Sequence, residues 1–245
     1  MFNKVRAKIL SLTFKIIRRS VISVFASWPK DLERAIILGD LLNHIIMSTP
    51  LKYFFKFKIP NNIHTKLYDL SFPSPIIAAS FKDDVSSLAQ WQLVGLGGMT
   101  YKTVLKTPSD GNNRPRIQEI KYNGGYGLIN SLGLPTKGVE YFVNSFENPK
   151  LLSFNRPIGI SIGGNSIDEY LDVFNLINSK VVQSSFDQFF YELNISCPNT
   201  EDGKCLSDDT EGLKTLLTKM RNSCSNVIIV KVSPDSSEQG MFEIC

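Results

Sequence analysis

Residues 191–200 read YELNISCPNT. Tyr191, Leu193 and Ile195 alternate with Glu192, Asn194 and Ser196, the period-2 pattern of a β-strand, and Pro198 stops it. Asn194, Cys197 and Asn199 then project from the strand's C-terminal end and the loop after it, where sheets of alternating strands and helices carry their ligands. A plainer reading of the same residues is a buried Cys beside two turn-forming asparagines.

The pattern extends outward from this strand. Short β-type runs near 76–79, 99–103, 158–162, 190–196 and 227–232 alternate with helical patterns over 86–93, 166–179 and from Asp208 or Asp209 onward. Tyr170, Val173, Phe174 and Ile177 share one face of the second helix, and Leu213, Leu216, Leu217 and Met220 one face of the third. Strands and helices in this rhythm predict parallel βα units. The segment 107–116, TPSDGNNRPR, is a loop by its Pro, Gly and Asn content. The glycine-rich stretch 124–138, GGYGLINSLGLPTKG, lacks the spacing and the preceding strand of a dinucleotide fingerprint.

The chain has 245 residues and is 42% apolar, enough for one large α/β domain with a substantial core. Its net charge is +4, but Lys4, Arg6, Lys8, Lys15, Arg18 and Arg19 concentrate six positive charges at the N-terminus, and subtracting them leaves −2 for the rest. The basicity belongs to a tail, and no nucleic-acid surface is implied. Cys197, Cys205, Cys224 and Cys245 have no CxxC or Cys/His spacing, so they read as reduced and no metal site is expected. Both histidines, His44 and His64, precede every motif, so the proton-moving group is expected to be something else.

Residues 1–28 place Lys4, Lys8, Lys15, Arg18 and Arg19 on one side of a helical wheel and Val5, Ile9, Leu12, Ile16, Ile17 and Val24 on the other, with Arg6 as the exception. The basic residues interrupt the apolar run, so no window long enough to span a bilayer exists. Three readings stand: a peripheral membrane-surface anchor on a cytoplasmic protein, an organellar presequence, or a helix packed on its own domain. A second helix is predicted over 31–47, ended by Pro50, and the patch LKYFFKFKIP at 51–60 is strand-like or an apolar lip.

Four stretches, in order, resemble dihydroorotate dehydrogenases, the flavoproteins that oxidise dihydroorotate to orotate in pyrimidine synthesis: YKT at 101–103, NSLGLP at 130–135, YELNISCPNT at 191–200 and VKV at 230–232. The resemblance runs from about residue 65 onward and includes a GNxxPR-like segment within 107–116. It implies a TIM-type (β/α)8 barrel over residues 61–245, preceded by an N-terminal amphipathic helical segment over 1–60, similar in position and character to the family's quinone-channel helices. It implies FMN, approached by Ala79 and Ser80, contacted by Lys102, Asn165 and Asn194, with Lys231 near the ring. It implies a substrate site of Lys102, Asn130, the Leu132-Gly133-Leu134 backbone, Asn194 and Asn199, with Cys197 as the base that removes a carbon-bound proton. A free thiol titrates near pH ~8.5, so a modest depression makes it a competent base. Lys102 and Asn165 also read plainly as a solvated lysine and a turn residue.

Only about five βα units are counted against the family's eight. The sequence therefore looks truncated relative to the family and, as written, is expected neither to close a barrel nor to turn over. A cysteine base resembles the soluble class, which uses fumarate or NAD through an iron-sulfur partner, whereas the N-terminus resembles the membrane-bound class, which uses quinone. The acceptor is therefore open among quinone, fumarate and NAD through a partner, with quinone the favoured one. The alternatives are another flavin-dependent dihydropyrimidine or dihydrouridine oxidoreductase, or an inactive remnant with a membrane- or partner-binding tail.

Overall fold

The computed structural model describes residues 2–27, 30–195, 206–234 and 236–244. In chain order its elements begin with α1 (Phe2–Ile17), α2 (Ser23–Ser27) and α3 (Glu33–Met47), followed by a hairpin of β1 (Thr65–Leu67) and β2 (Leu70–Phe72). Next come β3 (Ile77–Ala78), α4 (Val85–Leu93), β4 (Gly98–Val104) and a second hairpin, β5 (Ile117–Tyr122) with β6 (Gly125–Asn130). The remainder is α5 (Gly138–Ser145), α6 (Pro149–Leu152), β7 (Ile158–Ile162), α7 (Ile167–Val181), β8 (Phe189–Asn194), α8 (Thr210–Ser223), β9 (Val227–Lys231) and α9 (Glu238–Ile244). Two compact units result: Met1–Lys58 with Asp110–Pro135, and Ile59–Ser109 with Thr136–Cys245.

The second unit is an α/β layer. Its five described sheet strands pair in parallel in the order β3-β4-β7-β8-β9. On one face, Phe189 and Tyr191 of β8 and Tyr101 of β4 meet aromatic rings from the helical layer: Phe174 lies 5.1 Å from Tyr191, Phe142 5.1 Å from Tyr101, and Phe146 5.5 Å from Phe189. The predicted stripe of α7 is buried and continues to Val181. In α8, Leu213, Leu216 and Met220 are buried, while Leu217 is only half-buried at the margin of the stripe. Ser166 and Asp209 cap these helices, each accepting from a backbone N–H of the first turn.

The other face changes character along the strands. At the N-terminal end, Leu70 and Phe72 of the first hairpin cluster with Phe190, and Val227 and Ile229 pack against them. Phe190 lies across Gly159 of β7, where a Cβ would sit 2.4 Å from the ring. Toward the C-terminal end the same face becomes polar. The first hairpin is absent from the sequence reading because its strands are three residues each, too short for alternation to register. β3 is also shorter and more open than expected, with Ile76 63% and Ile77 38% exposed, because it is paired on one side only.

In the first unit, helix continues from α1 to α2 through a π-helical turn at Arg18–Ile22. Val5, Ile9, Leu12, Ile16 and Ile17 of α1 are exposed, as are Ile37, Leu41, Leu42 and Ile45 of α3. Arg6, the exception on the wheel, is buried: it is 8% exposed and its guanidinium stacks 4.1 Å from the Phe57 ring centroid. Among the described residues, no helix is long and apolar enough to cross a membrane. The patch after Pro50 is a 3-10 helix, Pro50–Phe55, and not a strand.

The second hairpin lies in what reads from sequence as loop and glycine-rich coil. Asn123 and Gly124, both at positive φ (47° and 77°), form the two-residue turn that matches strand twist, and an Asn-Gly pair is the strongest short-range signal for it. Salt bridges bind this hairpin's approach to α3: Arg114 pairs with Asp31 at 2.7 Å and Glu33 at 2.9 Å, and Arg116 also pairs with Glu33.

Gly159 is the tightest point of the inner face. Gly159→Ala should therefore destabilise the chain by about 1–3 kcal/mol, because Phe190 must leave its place. Urea unfolding followed by far-UV circular dichroism reads this, and an unchanged midpoint would show that Phe190 is not held over β7.

Candidate active site

Parallel pairing brings the strand C-termini of the second unit to one edge. Asn194 ends β8 and is 6% exposed. Its Nδ2 donates to Thr103 Oγ1 at 3.0 Å, and Thr103 Oγ1 lies 3.1 Å from Ser161 Oγ, so β4, β7 and β8 are laced by side chains at this level. The Asn194 carbonyl accepts from the Tyr170 hydroxyl at 2.7 Å, which ties the strand end to α7. The register of β4 against β7 shifts between Tyr101 and Val104, and this irregularity turns Thr103 toward Ser161.

Lys231 ends β9 opposite Asn194. Its Nζ lies 3.3 Å from Ser80 Oγ and 3.6 Å from Glu192 Oε1. Ser80 follows β3, the strand at the opposite end of the sheet order, so the sheet curls until the last residue of β9 meets the segment just after β3.

Lys102 stands within β4, two residues before its end. It is half-buried and lines a small cleft with Asp83, Thr136, Lys137 and Tyr141. Ala79 is exposed beside Ser80, and its carbonyl accepts from Phe81 N at 2.7 Å. Asn165 is exposed after β7, where its backbone N donates to Glu169 Oε2 at 2.8 Å, completing the capping of α7.

Asn130, Leu132, Gly133 and Leu134 belong to the first unit. Asn130 ends β6 and is exposed. The turn after it is held by backbone and side-chain bonds to the preceding loop: Asn112 N donates to Leu132 O at 3.0 Å and Asn112 Nδ2 to Ser131 O at 2.9 Å. Gly133 has φ +69°, and a Cβ there would lie 2.6 Å from Asn112, so the close approach of the two loops requires glycine. Cys197 and Asn199 lie outside the described residues, as do Cys205 and Cys245.

Burial pushes the Tyr101 hydroxyl up, with Asp83 adding to it, and pushes the Tyr191 hydroxyl up as well, so both stay protonated at neutral pH and neither is a base. His64 is taken up by Ser71 in the first hairpin, at 2.8 Å. Among the described residues, no group of three or more His, Cys, Asp or Glu could hold a metal ion. Sequence reasoning passed over Thr103, Ser161, Tyr170 and Glu192 as site-edge residues. A signal existed, since a period-2 strand that aims Asn194 at the site must aim Glu192 to the same side.

The family model for dihydroorotate dehydrogenase matches residues 62–245. The chain is 29% identical over 180 residues to the catalytic subunit of dihydroorotate dehydrogenase B (NAD(+)) of Carboxydothermus hydrogenoformans, covering 72% of this chain and 55% of that protein. It is 29% identical over 231 residues to a dihydroorotate dehydrogenase (quinone) of Pectobacterium atrosepticum, covering 89% and 66%. It is 31% identical over 176 residues to a putative dihydroorotate dehydrogenase A (fumarate) of Solibacter usitatus, covering 71% and 55%. The chain thus spans roughly half to two thirds of the length of these relatives. With a family model covering the βα units and the strand-end cluster described above, the chain belongs to the dihydroorotate dehydrogenase family.

Proposed function

We propose that the chain carries the flavin and substrate face of an enzyme that oxidises dihydroorotate to orotate in pyrimidine biosynthesis, on a (β/α)8-type barrel. The observation that carries this reading is the cluster of Lys231, Ser80, Asn194 and Thr103 at the C-terminal edge of a curled parallel sheet, in a chain of this family. The curl that brings Lys231 to Ser80 is what barrel strands require.

The residues at this edge fit FMN. A cation at a strand end, a hydroxyl beside it and the exposed small residue Ala79 suit a planar ring that gains negative charge on reduction. FMN, when bound, supplies the two-electron acceptor. Lys231 presents its ammonium to that charge, and Asn194 is held in one orientation by Thr103 and Tyr170. Cys197 takes the carbon-bound proton as thiolate. Asn130, Asn194 and Asn199 hydrogen-bond the pyrimidine, the Leu132-Gly133-Leu134 backbone walls it, Lys102 meets its carboxylate, and Asn165 contacts the cofactor. These roles rest on the family's motifs at the matching positions.

The proposed acceptor is a quinone, reached through residues 1–60 on a protein peripheral to the membrane. Two observations support it: the exposed apolar residues of α1 and α3, and a quinone-type relative aligned over 231 residues where the NAD-type relative aligns over 180. The cysteine at position 197 favours the soluble classes and is the reason to test the acceptor directly.

In an FMN-loaded form that carries all eight βα units, Cys197→Ala should leave the flavin bound but slow its anaerobic reduction by dihydroorotate on the order of 10²-fold or more. Stopped-flow traces within a few-fold of the parent would remove Cys197 from the base role. In the parent, reduction should quicken as pH rises through the thiol's pKa, since only the thiolate accepts the proton. Absence of flavin absorbance in that eight-unit form supplemented with FMN would sink the flavin reading itself.

Vesicles of anionic phospholipid should bind the chain, and binding should weaken from about 0.01 M to 1 M salt as the Debye length shrinks from ~30 Å to ~3 Å. Removing residues 1–28 should abolish it. Equal sedimentation of the shortened form with vesicles would assign residues 1–28 to another role.

A further inference from the structure

Glu192 is a carboxylate on the polar inner face of β8 and is 9% exposed. Across the sheet its register partners are Ser161 and Ile229, neither of which carries charge. Its Oε1 is buried without a hydrogen bond, and the cation paired with it is Lys231, at 3.6 Å. A desolvated carboxylate is costly unless a positive charge compensates it, so this pair constrains both members. The Lys231 ammonium is held from a second side by Ser80, at 3.3 Å. A lysine at a strand end would otherwise sample many rotamers. Here one anchor lies on the adjacent strand and the other beyond the far edge of the sheet.

We propose that Glu192 is the positioning residue for Lys231. It fixes where the ammonium stands at the sheet edge and reduces the charge presented there from that of a lone lysine to that of an ion pair. The effect on a bound cofactor rests on the flavin reading above. Beside a ring that becomes anionic on reduction, the pair favours the reduced form less than an unpaired lysine would, so Glu192 holds the flavin's potential down.

Two measurements separate the pair from the flavin. The first needs no cofactor: the full chain is trace-acylated with acetic anhydride, and modification of Lys231 is compared by mass spectrometry with that of Lys214, an exposed lysine of α8. In Glu192→Gln, Lys231 loses its carboxylate and should react about threefold to tenfold faster relative to Lys214, the range between exposed and half-buried ion pairs. Glu192→Asp, which keeps the charge on a shorter arm, should fall between parent and Gln. An unchanged ratio in Glu192→Gln overturns the proposal. Should Glu192→Gln fail to fold by circular dichroism, the parent decides: Lys231 should be modified at least about threefold more slowly than Lys214, and equal rates overturn the pair.

The second measurement is the midpoint potential of FMN bound to the form that carries all eight βα units. In Glu192→Gln it should move positive, with the preference for reduced over oxidised FMN raised by about the same factor, and Glu192→Asp should restore most of the parent value. A bound flavin whose potential does not move overturns the effect on the cofactor while leaving the flavin reading intact. Failure of the parent to take up FMN overturns that reading and the cofactor effect with it, and the acylation ratio still decides the pair.

Discussion

Parallel pairing is the constraint on which the second unit depends. It sends the five described strands of the large sheet in one direction, so their C-terminal residues gather at one edge whatever their order in the chain. Helical crossovers cover one face with apolar side chains, and the first hairpin fills the N-terminal end of the other. What is left is the C-terminal end of the inner face. Its polar groups meet one another there: Asn194 donates to Thr103, Thr103 lies against Ser161, and Lys231 reaches Ser80 and pairs by charge with Glu192, whose Oε1 accepts no hydrogen bond.

That division separates stability from chemistry along each strand. In β8 the odd residues Phe189, Tyr191 and Leu193 are fully buried, and those whose ring contacts are resolved meet the helical layer. The even residues run from Phe190 in the apolar plug through Glu192 to Asn194 at the edge. One six-residue strand therefore contributes to the core, the plug and the site. A single-residue slip in register would exchange the faces and place Tyr191 and Leu193 among the polar groups.

The first unit is organised by charge. Asp31 and Glu33 at the start of α3 meet Arg114 and Arg116 on the approach to the second hairpin, and Arg18 pairs with Glu119 on the hairpin itself. The basic N-terminus thus spends part of its charge inside its own unit, with Arg6 stacked on Phe57, while the apolar residues of α1 and α3 remain outward. The helical wheel marks Arg6 only as an exception among apolar residues, because a wheel scores one helix and cannot see Phe57, about fifty positions away, which receives it.

Short β-type runs marked β4, β7, β8 and β9 and helix stripes marked α7 and α8, and in β8 the strand is long enough to write a period-2 repeat into the residues. Motif order determined the family, and with it the strand-end positions of Asn194 and Lys231. Only the tertiary structure decided the rest. The first hairpin is too short to carry a period, and the second is announced by Asn123-Gly124 yet hidden in a glycine-rich stretch. The Lys231–Ser80 contact joins residues 151 positions apart and exists because the sheet curls. Glu192 reads in sequence as one polar residue of an alternating strand, and its pairing with Lys231 follows from the register of β8 against β9, a relation between strands that neither strand records by itself.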